Sequence, residues 1–184
     1  MPLTSSFYLK IEHQVSELLK SANILQAPVP VDQVARLCGA VVLPYDLGNE
    51  VSGVLVFEEN KGTIGYNNSH SPKRQRFTIS HELGHLLLHV NKQKPKDLFV
   101  DKDFIVKWRY NKIYSQKEFE HEQEANAFAA ALLMPKEFLI KEMQKEKYSE
   151  LTEVKLIEDL AKVFHVSIQA MTYRFADLNK YAYA

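Results

Sequence analysis

Apolar residues recur along this chain at two different spacings, which divide it into helices and one short β-region. Phe7, Ile11, Val15, Leu18 and Leu19 lie three or four positions apart and predict an amphipathic helix over 7–21. Pro28 and Pro30 then break the chain. Asp32 falls in the first turn of a short helix through Cys38, with Gly39 as its C-cap. Ala40–Leu43 is short and β-rich. Ser52–Phe57 and Gly62–Tyr66 flank Glu58-Glu59-Asn60-Lys61, which predicts a hairpin with a four-residue loop. Ser71 as N-cap and Pro72 at the first helical position open a helix that runs to about Asn91. Residues 92–115 are the least regular part. The helical pattern returns over 116–134, stops before Pro135 and resumes to about Lys145. Thr152 caps a helix over 153–164, and Ser167 caps a last one from 168 to about 178.

Composition narrows what such a chain can be. Its 184 residues are enough to bury a real core, with 46 % apolar and 25 % charged residues. Lys plus Arg and Asp plus Glu both total 23, so no bulk field draws the chain to nucleic acid or an anionic membrane. Cys38 is the single cysteine, which excludes an internal disulfide and suits a reducing compartment. It falls in an apolar helical pattern with Val34 and Leu37 and is expected to be a buried structural thiol. The N-terminus lacks a basic region followed by an apolar one, and no apolar run approaches the roughly 20 residues that span a bilayer. The expectation is a cytoplasmic protein with no membrane partner.

The chemistry concentrates in the predicted helix after Ser71. His81-Glu82-Leu83-Gly84-His85 puts two imidazoles one turn apart on one face. Two neutral imidazoles so placed can hold a zinc ion at about 2.0–2.1 Å each, with Glu82 in reach of a water completing the shell. Gly84 strengthens this reading. Glycine inside a helix costs about 1 kcal/mol relative to alanine, so its presence predicts that backbone or ligand comes close.

A catalytic zinc takes three protein ligands. His89 shares the face of His81 and His85, but at a rise of 1.5 Å per residue it lies about 12 Å from His81. It is expected to pack or hydrogen-bond at the helix end instead. The predicted helix 116–134 supplies the better candidate. Ala125, Phe128, Ala129 and Leu132 mark its inward face, and Glu122 and Asn126 lie on or beside that stripe. Glu122 is thus the expected third ligand, with Asn126 accepting a hydrogen bond from a ligand histidine. Glu118, Glu120 and Glu124 read as a solvated acidic run at a helix N-terminus.

His81–His85, the preceding Ser69–Phe77 and the run Glu122–Pro135 together closely resemble the ImmA/IrrE family of metallo-endopeptidases, over roughly residues 30–178. The spacing Glu122-x-x-Ala125-Asn126 is also similar to the third-ligand motif of thermolysin-like zincins. The resemblance implies an α+β, zincin-like fold: a small antiparallel sheet or hairpin on a mainly helical domain with the His-Glu-x-x-His helix in its core. It implies a zinc endopeptidase that cleaves a helix-turn-helix transcriptional repressor of a bacterium, phage or mobile element. Residues 1–30 are then an N-terminal helix and linker, 31–148 the peptidase core, and 149–184 a C-terminal helical pair. Glu82 would act as the catalytic base. For the donor that meets a developing oxyanion, His121, Tyr114, Tyr110 and Arg109 stay open. Gly53 and Gly65 would either let an extended substrate approach the strand before the motif or mark bulges. Within 92–115, the lysine cluster Lys92, Lys94 and Lys96 reads as a solvated loop, and the mixed aromatic and basic content alternatively as a mobile wall of a substrate cleft.

One rival reading comes from Leu160–Phe175, which resembles a helix-turn-helix pair with His165 at the turn. Gln169, Thr172, Tyr173 and Arg174 are its candidate DNA contacts, in a regulator or a non-catalytic partner-binding protein on the same fold. Overall neutrality weighs against nucleic acid as a partner.

Overall fold

The computed structural model describes residues 3–90, 96–102 and 115–181. Helix α1 spans Ser5–Ser21 and α2 Val31–Leu37, followed by strands β1 (Ala40–Tyr45), β2 (Val51–Glu58) and β3 (Lys61–Asn67). Helix α3 (Pro72–Leu88) carries the His-Glu-x-x-His motif. Strand β4 (Lys96–Lys102) follows, then α4 (Gln116–Leu133), α5 (Lys136–Met143), α6 (Glu153–Val163) and α7 (Ile168–Tyr181). The fold class is α+β. Two compact units divide it: Val31–Ala129, and Pro2–Pro30 with Ala130–Ala184.

In the first unit the strands form one sheet in the order β1-β3-β2-β4. The hairpin β2–β3 is antiparallel, as expected, and β4 pairs antiparallel with β2 on its other side. The sheet as a whole is mixed rather than antiparallel, because β1 runs parallel to β3, Ala40 opposite Gly62 and Tyr45 opposite Asn67. The hairpin loop is also tighter than its sequence suggests. Glu58 pairs with Lys61, leaving a two-residue turn in which Glu59 and Asn60 have φ of 52° and 62°. Two successive positive φ values match the twist of a hairpin, so the ladder gains a pair at the cost of a left-handed glutamate.

Helix α3 lies on this sheet and is buried continuously from Thr78 to Leu86. A helix buried on every side carries no strong amphipathic stripe, which is why its pattern reads less clearly than that of α1. Glycines on the strands make room for it. A Cβ at Gly62 would meet Leu86 at 2.9 Å, and one at Gly53 would meet Thr78 at 2.3 Å. The β2–β4 pairing also shifts register between Val51 and Gly53. Gly65 instead makes room for Tyr45 and Val54 from the neighbouring strands. At its start α3 is tied to β2 by Arg74 Nη2, which donates to Ser52 Oγ at 2.8 Å. Ser71 occupies the N-cap position, but its side chain makes no cap hydrogen bond.

The second unit is helical. Ile11, Val15 and Leu19 of α1 are buried, as are Leu132, Leu139, Leu160, Phe164 and Met171. Thr152 and Ser167 cap α6 and α7 as their sequence positions predict, accepting from the amides of Lys155 at 3.4 Å and Ala170 at 3.1 Å. Arg174 is the departure. Its side chain turns inward, donates to the Met134 carbonyl at 3.0 Å and pairs with Glu12 at 2.6 Å. A guanidinium held by a buried carbonyl and a carboxylate is a clamp between helices, not a DNA contact. No helix among the described residues is long and apolar enough to cross a membrane.

Candidate metal centre

Helices α3 and α4 come close enough to share a site because nothing larger than hydrogen stands between them at Gly84. A Cβ there would lie 3.1 Å from Ala125 Cα and 3.3 Å from the Ala125 carbonyl oxygen and from Phe128 Cβ. The backbone approach that Gly84 predicts is therefore made by α4. Ala125 and Ala129 on its inward face keep that contact thin, and both are fully buried.

At this contact the Nε2 atoms of His81 and His85 lie 3.1 Å apart. Each also lies 3.6 Å from a different carboxylate oxygen of Glu122. The three ligand atoms thus cluster on one point. Two nitrogens and one oxygen bound tetrahedrally at the usual zinc distances would be about 3.3 Å from one another. The observed separations bracket that value. Both histidine side chains are 2–3 % exposed and Glu122 is 27 % exposed, so the cluster is closed on the α3 side and open beside the carboxylate.

Tautomers sharpen the fit. The Nδ1–H of His81 donates to Asn126 Oδ1 at 3.0 Å, which in a neutral imidazole leaves the lone pair on Nε2. His85 Nδ1 lies 2.9 Å from His89 Nδ1. Burial, and next the neighbouring His81, push the His85 imidazole down to about 2, with Glu122 opposing them. His85 is therefore neutral at physiological pH. Two imidazoles facing each other through Nε2, beside a carboxylate, form a donor set suited to a divalent cation with nitrogen and oxygen preference.

Glu82 follows His81 on the buried side of α3 and is fully enclosed. Strand β2 lies against it at Gly53, where a Cβ would come within 2.9 Å of Glu82 Oε1. The residue singled out as base is thereby pressed against the sheet, one position along α3 from His81.

His89 packs and hydrogen-bonds at the end of α3 as expected, but sequence reasoning missed its partners on α4. Its Nε2 donates to Glu124 Oε2 at 2.8 Å, and the His121 ring stacks on it at 4.1 Å with 7° between planes. Glu124, which reads as a solvated acid, is instead a partner. A histidine at every fourth position, 81, 85 and 89, was the available signal. Burial lowers the His89 pKa, opposed by its bond to Glu124. Tyr114, Tyr110 and Arg109, the other oxyanion candidates, lie outside the described residues, as do Lys92 and Lys94. Cys38 is half-buried rather than buried, and burial raises its thiol pKa. On α7, Gln169, Thr172 and Tyr173 are exposed, with Thr172 bonded to the Ile168 carbonyl at 3.0 Å.

Comparisons with known proteins agree with this picture. Residues 36–176 match the peptidase M78 family, described as the IrrE N-terminal-like domain. Over 108 residues the chain is 30 % identical to "uncharacterized immunity region protein 2" of Bacillus phage phi105, covering 56 % of this chain and 57 % of that one. A Mycobacterium tuberculosis transcriptional regulator is similar in fold, with a TM-score of 0.58 at 16 % identity, over 92 % of this chain and 49 % of the other. This chain thus spans 57 % and 49 % of the length of these two relatives.

Proposed function

The chain belongs to the IrrE N-terminal-like family of M78 peptidases, and from that premise we propose that it is a zinc-dependent endopeptidase that cuts one specific protein partner. The partner we propose is a helix-turn-helix transcriptional repressor, met in the cytoplasm, where Cys38 stays reduced. The observation that carries the reading is the convergence of His81 Nε2, His85 Nε2 and the Glu122 carboxylate within reach of one cation, with Glu82 following His81 on α3. The phage relative, whose name places it in an immunity region, supports a repressor as substrate.

In this reading His81, His85 and Glu122 hold the zinc. Zinc, when bound, supplies Lewis acidity that acidifies a water and polarises a scissile carbonyl. Glu82 takes the proton of the attacking water and delivers it to the leaving amine. Burial shields that carboxylate from bulk solvent, and Gly53 lets β2 lie against it. Asn126 fixes the tautomer of His81 through its Nδ1–H. The 27 % exposure of Glu122 leaves the approach for a substrate on the α4 side.

The test is incubation with candidate repressors, beginning with the product of the neighbouring gene, followed by mass spectrometry of the fragments. Wild type should yield one cut, and Glu82→Gln should keep its zinc and yield none. Undiminished cleavage by Glu82→Gln removes it as base. Sequence-selective, salt-sensitive DNA binding in place of proteolysis would favour the regulator reading.

A further inference from the structure

We propose that His89 and Glu124 are positioning residues, forming a relay that holds His85 in the tautomer able to bind the metal; this rests on the zinc reading above. The Glu124 carboxylate sets the first proton. Glu124 only accepts, so the 2.8 Å contact places the His89 proton on Nε2. A neutral His89 then carries its lone pair on Nδ1, which is the atom 2.9 Å from His85 Nδ1. His85 must therefore donate from Nδ1, and its Nε2 is left as a lone pair. That Nε2 faces His81 at 3.1 Å and Glu122 at 3.6 Å. Each step fixes the next, from the Glu124 carboxylate to the ligand atom.

The relay is built to keep its geometry. His121 lies parallel on His89 with ring centroids 4.1 Å apart, and the His89 side chain is 2 % exposed. His121 and Glu124 stand three residues apart on α4, so one face of that helix grips His89 by stacking and by hydrogen bond. The same helix brings Asn126 to His81. Both ligand histidines thus have Nδ1 anchored, one directly by an α4 amide and one through a second imidazole ending on an α4 carboxylate. A carboxylate at the end of such a chain raises the basicity of the ligand nitrogen as well as orienting it.

The experiment measures zinc dissociation constants by chelator competition, and reads the histidine tautomers of the metal-free protein by 15N NMR. His89→Leu fills the space but cannot accept. It should weaken zinc by about 10–100-fold and leave His85 as a mixture of tautomers. His89→Asn offers an oxygen near the Nδ1 position and should recover most of the affinity and the single tautomer. Glu124→Ala should lose at least about tenfold, and it decides the matter should His89→Leu fail to fold. Wild-type affinity in His89→Leu or Glu124→Ala, where His81→Ala abolishes binding, overturns the relay and leaves the metal centre standing. Wild type binding zinc no better than His81→Ala overturns both.

Discussion

Replacing Gly84 by alanine sets two effects of opposite sign against each other, and the structure decides between them. On an isolated helix the change stabilises by about 1 kcal/mol, since glycine costs that much in a helix interior. At this site the new Cβ would sit 3.1 Å from Ala125 Cα and 3.3 Å from two further α4 atoms. Ordinary carbon contacts lie at about 3.5–4.0 Å, so α3 and α4 must separate by roughly half an ångström. Two of the three opposing atoms are backbone and cannot rotate away. Overpacking of this kind costs about 1–3 kcal/mol. The expected net is a loss of up to about 2 kcal/mol, a fall in melting temperature of about 2–4 °C per kcal/mol for a chain of this size. Gly84→Val adds further bulk and should lose about 3 kcal/mol or more. Because Glu122 rides on the helix that is pushed back, zinc affinity should fall in the same order. Urea denaturation of chelator-treated protein and zinc competition read the two quantities. An alanine variant that is about 1 kcal/mol more stable than wild type, with zinc affinity intact, would refute the close approach of α3 and α4.

Three other outcomes are expected. Gly53→Ala drives a methyl into Thr78 and against Glu82. It should slow cleavage at least about tenfold while zinc affinity stays near wild type, since no ligand is displaced; equal losses in both would refute that division of labour. In metal-free protein the His85 pKa near 2 lies far below its unfolded value of about 6.5. The unfolded chain then takes up the proton first as pH falls, so stability declines below about pH 6.5, by about 2 kcal/mol from pH 7 to 5 for this group alone. Urea midpoints should show that extra decline in wild type over His85→Gln, and parallel declines would contradict it. Arg174→Ala strands Glu12 and the Met134 carbonyl, so it should cost about 3 kcal/mol, against about 0.5 kcal/mol or less for the exposed Gln169→Ala. A thermal melt that fails to separate those two variants would return Arg174 to the surface.

What the sequence reveals of this molecule follows from how local each signal is. Helix starts at Pro72 and after Thr152 and Ser167 are legible because a proline in the first turn or a capping hydroxyl involves only neighbouring residues. The convergence of Glu122 on His81 and His85 is legible because Ala125, Phe128 and Ala129 give the orientation of α4, and with it the side of Glu122. The parallel partner of β1 is not legible, since Val41 and Val42 carry no mark of which strand lies beside them. Strand β4 hides within a stretch where Lys96, Asp97, Asp101 and Lys102 bracket only three apolar residues. The turn at Glu59-Asn60 lacks the glycine that flags such turns. Glu124 reads as solvated because its partner is 35 positions away. Arg174 misleads for the same reason: a cation on a helix-turn-helix surface and one clamped by Glu12 look alike until tertiary contacts are known.

Zinc content per chain after gel filtration, compared across wild type, Glu82→Gln and Glu122→Ala, addresses the metal centre most directly. One zinc ion per chain is expected in wild type and in Glu82→Gln, and far less in Glu122→Ala, which removes one of three protein ligands. A Glu122→Ala protein as rich in zinc as wild type would contradict the placement of the metal between α3 and α4.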